Sequence, residues 1–111
     1  MDLTVVFDFK IPVKLDLFKA AVEKALTVYP EFSIRPVIKD GKIFYEDNTA
    51  PVAVVRGKER VYFASEETNG YLFAIVPNED DNREVKLAIN HGLSDWTGTM
   101  RFIRTIMYSY Y

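Results

Sequence analysis

Between Leu3 and Tyr29 the apolar residues change their period once, and that change constrains the fold more than any other feature of the chain. Leu3, Val5, Phe7, Phe9 and Ile11 alternate with Thr4, Asp8 and Lys10, the period of a strand with one buried face. From Leu15 onward the apolar positions Leu15, Phe18, Val22, Ala25, Leu26 and Tyr29 fall at helical spacing. Asp16 is the expected N-cap of this helix, and Pro30 closes its far end. A one-faced strand leading directly into an amphipathic helix buries both apolar surfaces by laying the helix on the sheet.

The rest of the chain extends this plan. Asp40-Gly41 separates two β-prone runs, Phe32 to Lys39 and Lys42 to Glu46, and suits a type I′ hairpin turn. Pro36 assigns its strand to an edge or a bulge. Val52 to Val55 reads as a short strand, and Asn69-Gly70 as a turn before Tyr71 to Val76, a run apolar on both faces and so expected inside the sheet. After the loop Asn78 to Arg83, the strand Glu84 to Ile89 carries Val85, Leu87 and Ile89 on one side, and continued alternation puts His91 on that side too. Phe102, Ile103, Ile106, Met107 and Tyr110 form the buried stripe of a last helix. The predicted fold class is α/β, a two-layer sandwich of a mixed sheet and two main helices. Nothing marks an internal boundary, so residues 1–111 are expected to form a single domain.

Composition excludes several function classes. The net charge is −2 and the basic residues are scattered, which argues against a nucleic-acid partner. The absence of cysteine removes thiol nucleophiles, disulfides and thiolate metal sites. Met1-Asp2-Leu3-Thr4 lacks the basic and apolar regions of a signal peptide, and no run reaches membrane-spanning length. A cytoplasmic location without a membrane span is the resulting expectation. Glu79-Asp80-Asp81 lacks the spaced ligands and glycine of a calcium loop and is expected to be a solvated hairpin tip. Tyr108, Tyr110 and Tyr111 are expected to form a helix face that meets a partner.

The stretch that can carry chemistry is Asn90-His91-Gly92-Leu93-Ser94-Asp95-Trp96-Thr97-Gly98, between a buried strand and a helix. His91 is the only histidine. Its neutral imidazole can take up a proton near neutral pH, and a nearby helix N-terminus disfavours the imidazolium and keeps the base free. Asp95 is either a helix cap or an ion-pair partner for an arginine elsewhere in the fold. The alternative for His91 is a hydrogen-bonded structural residue at a strand end. A metal site is not expected, because one His and one Asp fall short of a ligand set.

His91-Gly92-Leu93-Ser94-Asp95 resembles the His-x-x-x-Asp signature of the superfamily that includes chloramphenicol acetyltransferase, nonribosomal peptide condensation domains and alcohol acetyltransferases. The setting of the motif adds to the likeness. Leu15-Asp16-Leu17-Phe18-Lys19-Ala20-Ala21 resembles the opening of the family's first long helix, and Val28-Tyr29-Pro30-Glu31-Phe32 its closing segment. The run from Ile34 to Lys42 is similar to the following hairpin, and Asp95-Trp96-Thr97-Gly98-Thr99-Met100-Arg101-Phe102 resembles the motif-to-helix junction of the alcohol-acetyltransferase group.

The resemblance implies half of a chloramphenicol-acetyltransferase-like, CoA-dependent acyltransferase fold, its N-terminal lobe. It implies acyl transfer from a thioester to a hydroxyl or amine, with His91 as general base and Asp95 as architectural support. Coenzyme A or a phosphopantetheine thioester would be a co-substrate, with no tightly bound cofactor. Asn90, Trp96, Thr97 and Gly98 would border the substrate channel. Trp96 departs from the family's usual glycine after the aspartate, and Asn90 from the first histidine of the condensation-domain pair. No segment resembles the second lobe or its Asp-Phe-Gly-x-Gly motif. Because family active sites lie between two lobes, the expected partner is a second acyltransferase lobe or a homodimer mate. The alternative reading is a non-catalytic binding or assembly module that keeps the half-fold.

Overall fold

A computed structural model describes residues 2–57, 61–90, 92–93 and 96–111, with backbone only at Asp2 and Trp96. The elements run in the order β1 (Asp2–Asp8), α1 (Leu15–Val28), β2 (Ile34–Lys39), β3 (Lys42–Asp47), β4 (Phe73–Pro77), β5 (Glu84–Asn90) and α2 (Trp96–Tyr110). The main sheet has the order β1-β5-β4 with antiparallel neighbours. Val54 adds a parallel bridge to Ile75 on the outer side of β4 and makes the sheet mixed. The protein is thus an α/β sandwich with two main helices on one face of a mixed sheet.

Register explains why the helices choose that face. Leu3, Ile89 and Phe73 stand in one row across the three strands, and Val5, Leu87 and Ile75 in the next. All six point to one side because strand side chains alternate. The helices supply matching aromatic rings. Phe18 of α1 meets Phe7 edge-on at 5.1 Å, and Phe102 of α2 meets Phe73 at 5.8 Å. Phe102 also stacks flat on Phe32 at 4.1 Å, which joins α2 to the 3-10 turn Pro30–Ser33 beyond α1. Phe18, Phe32, Phe73 and Phe102 are fully buried.

Several elements differ from the sequence reading. The first strand stops at Asp8 rather than Ile11. Phe9 still donates its N–H to the Arg83 carbonyl at 2.8 Å, but Ile11, restricted by the proline after it, turns out to solvent. Val13 then rejoins the body through the Asn82 carbonyl at 2.8 Å and packs against the core. Asp16 is not the N-cap of α1: that position is Lys14, which makes no side-chain cap bond. The Lys14 N–H instead donates to the Tyr110 hydroxyl at 3.1 Å, so the start of one helix is satisfied by the end of the other. Asp16 lies inside the first turn, where its charge suits the helix dipole. The expected strand Val52 to Val55 reduces to the bridge at Val54, with Val55 donating to Ile75 at 2.8 Å and Ile75 to Ala53 at 3.0 Å.

The Asp40-Gly41 hairpin forms as expected, with φ of 51° and 76° at the two turn residues. It makes a separate two-stranded sheet rather than joining the main one. The acidic tip is a solvated turn with local partners: Glu79 lies 3.7 Å from Arg56, and Asp81 3.6 Å from Arg83. Among the described residues no helix is long and apolar enough to cross a membrane.

Candidate functional site

β5 is the central strand of the main sheet and ends at Asn90, six residues before α2 begins at Trp96. The two expected chemical groups, His91 and Asp95, lie outside the described residues, as does Ser94. What is described is the frame on both sides of them.

Asn90 is held from three directions. Its backbone pairs with Asp2 of β1, and its N–H donates to the Leu72 carbonyl at 2.9 Å, one residue before β4. Its side-chain Oδ1 accepts the Gly92 N–H at 2.8 Å, and its carbonyl accepts the Leu93 N–H at 3.0 Å. Asn90 therefore closes the turn with its own amide, the local bonding for which asparagine is favoured at such positions. The sequence placed Asn90 beside a channel and gave no weight to this turn; the Asn-x-Gly spacing was the available signal. Gly92 fits the same geometry, since a Cβ there would meet Asn90 Oδ1 at 3.2 Å.

Leu93 packs against the core, so the turn is anchored by an apolar side chain as well as by hydrogen bonds. On the helix side, Thr97 is exposed, Gly98 half-buried and Thr99 buried. Phe102 and Ile106, both fully buried, then fix α2 to the sheet. Asn90 thus ends β5, and Trp96, Thr97 and Gly98 form the first positions of α2.

A second brace approaches from the segment before β4. The buried Tyr71 hydroxyl donates to the Ala50 carbonyl at 2.6 Å and lies 3.2 Å from the Asn48 carbonyl. Burial, and after it the Glu23 carboxylate, raise the pKa of this hydroxyl above its ordinary value. Tyr71 therefore remains a neutral hydrogen-bond donor and fixes the chain next to Leu72, the backbone partner of Asn90. The described residues thus fix the end of β5 at Asn90 and seat α2 on the sheet.

The chain matches no protein-family model and no curated protein. Its fold is nevertheless shared with solved structures. The SgcC5 protein from Streptomyces globisporus, in complex with a naphthyl ethanediol and sucrose, superposes with a TM-score of 0.67 at 12% identity over 98% of this chain. The starter condensation domain of rhizomide synthetase RzmA gives 0.65 at 13% identity over 98%. A structure describing condensation domain-mediated chain release from the enacyloxin polyketide synthase gives 0.57 at 12% identity over 96%. The chain spans 29%, 31% and 25% of those three structures. Its fold is a partial lobe of the chloramphenicol-acetyltransferase-like architecture to which condensation domains belong.

Proposed function

We propose that the chain is the base-bearing, N-terminal lobe of an acyltransferase that moves an acyl group from a thioester to a hydroxyl or amine acceptor. The thioester would be carried by coenzyme A or by the phosphopantetheine arm of a carrier protein. One observation carries the reading: in a fold shared with condensation domains, the connection between the central strand β5 and helix α2 spans the sequence His91-x-x-x-Asp95.

His91 takes the proton from the acceptor hydroxyl or amine as its heteroatom bonds to the thioester carbonyl carbon. The C–S bond then breaks, and the proton passes to the departing sulfur. Such a positioned base contributes on the order of a hundred- to ten-thousand-fold in rate. Asp95 supports the loop rather than the chemistry. Asn90, Trp96, Thr97 and Gly98 border the acceptor's approach. A second lobe, from a longer chain, a partner or a second copy, supplies the opposite wall that orients the substrates and excludes water.

The test combines the chain with the remaining lobe of a condensation domain and follows release of free thiol from an acyl thioester. His91→Ala is expected to lower the rate by at least about a hundred-fold while leaving the far-UV spectrum unchanged. An unchanged rate removes His91 from the role of base. A complete, folded assembly that never turns over a thioester supports the binding or assembly module instead.

A further inference from the structure

The hairpin of β2 and β3 is the part of the molecule least explained by its own core. Ile38, Ile43 and Tyr45 are 74%, 62% and 64% exposed, and Phe44 is half exposed. A two-stranded ribbon is marginally stable alone, and apolar side chains presented on both of its faces call for a partner.

The two edges of the ribbon are not equivalent. A two-residue turn makes Lys39 and Lys42 a hydrogen-bonded pair, so Val37 with Phe44 and Arg35 with Glu46 are the next such pairs. The alternate residues direct their backbone groups outward. On β2 these include Pro36, which has no N–H and blunts that edge. On β3 they are Ile43 and Tyr45, with donor and acceptor both intact.

We infer that β3 pairs antiparallel with β3 of a second copy of this chain, about a two-fold axis through Phe44. This register sets Phe44 against its own copy, Ile43 against Tyr45, and Lys42 against Glu46, each of the last two pairs occurring twice. It satisfies the backbone, because Ile43 and Tyr45 are the residues whose groups face outward. It also satisfies charge. Lys42 stands opposite Lys39 within the hairpin, an unfavourable like-charge pair, and in the dimer it gains the carboxylate of Glu46. Glu46 in turn keeps Arg35, whose Nε donates to it at 2.8 Å. Shifting the axis to Ile43 or Tyr45 places Lys42 against Phe44 or Asn48 and loses both ion pairs. The self-complementary order of charge, apolar core and opposite charge in Lys42-Ile43-Phe44-Tyr45-Glu46 selects a second copy over any other occupant.

Sedimentation equilibrium of the chain is expected to show a monomer–dimer equilibrium. Lys42→Glu and Glu46→Lys, each alone, replace two attractive pairs by two repulsive ones and are expected to weaken association on the order of ten-fold or more. An equimolar mixture of the two variants restores opposite charges at both positions and recovers the dimer. Lys42→Glu also removes the Lys39 repulsion within the hairpin, so its loss of association cannot be ascribed to a weaker fold. A monomer at high-micromolar concentration, dimers insensitive to both variants, or a mixture no tighter than its components would each overturn the inference.

Discussion

Phe102 ties the helix that follows the candidate site to the rest of the protein, and replacing it with Ala measures how much that tie is worth. The ring is fully buried, stacks on Phe32 at 4.1 Å with 3° between planes, and meets Phe73 edge-on at 5.8 Å. Truncating a buried Phe to Ala removes about 3–5 kcal/mol through lost transfer energy and the cavity left behind. The two ring contacts add roughly 0.5–1.5 kcal/mol each beyond area, part of which is already in that range. The expected loss is therefore about 4 kcal/mol, a large share of the ~5–15 kcal/mol typical of a domain. Urea unfolding followed by far-UV circular dichroism gives the number, with Tyr108→Ala as the control on the same helix. Tyr108 is 79% exposed, and its truncation should change stability by about 0.5 kcal/mol or less. A Phe102→Ala loss below about 1.5 kcal/mol, or one equal to the control, would refute the claim that α2 is seated through this aromatic cluster.

Other substitutions separate backbone geometry from packing. Gly41→Ala meets a φ of +76° and nothing within 4 Å, so it should lose about 1 kcal/mol in chemical denaturation. Gly70→Ala meets a φ of +87° and also sets its Cβ 3.1 Å from Asn48 Nδ2, which donates to the Asn69 carbonyl; the loss should be about twice as large. Asn90→Ala removes the acceptor for Gly92 and should cost about 1 kcal/mol, whereas Asn90→Asp keeps the acceptor and most of the stability. The raised pKa of Tyr71 means that the unfolded chain loses this proton before the folded one does. Its contribution to stability is then complete below the unfolded value near 10 and is lost as pH rises through the folded value. Unfolding curves from pH 8 to 11 should fall less steeply for Tyr71→Phe than for the native chain.

The layer plan was legible because it rests on periodicity. Val85, Leu87 and Ile89 announce their common face in the sequence, and the structure buries all three. Asp40-Gly41 announces its turn because few residue pairs tolerate two positive φ angles. The errors fall where a second constraint, near or distant, overrode the first local signal. Asp16 has the chemistry of a cap, but Tyr110, 96 residues from Lys14, already meets the first backbone donor. Ile11 continues an alternation that Pro12 ends. The separate sheet of β2 and β3 was not legible either, since a period of two reveals a strand and its faces but not which edge it joins.

The same distinction bears on the candidate site. A motif in the sequence names residues, while the position of the chain that carries them is decided by contacts far from the motif. The connection from Asn90 to Trp96 begins on a strand hydrogen-bonded to Leu72 on one side and paired with β1 on the other. It ends on a helix seated by Phe102 and Ile106, one to three turns further along. On the strand side, Asn90 accepts the Gly92 N–H and Leu93 packs against the core. Substitutions at Phe102 or Tyr71 should therefore alter any chemistry at this junction without touching a substrate, by moving one end of the connection relative to the other. Changes at exposed positions of the same helix, such as Tyr108, should leave that chemistry as it was.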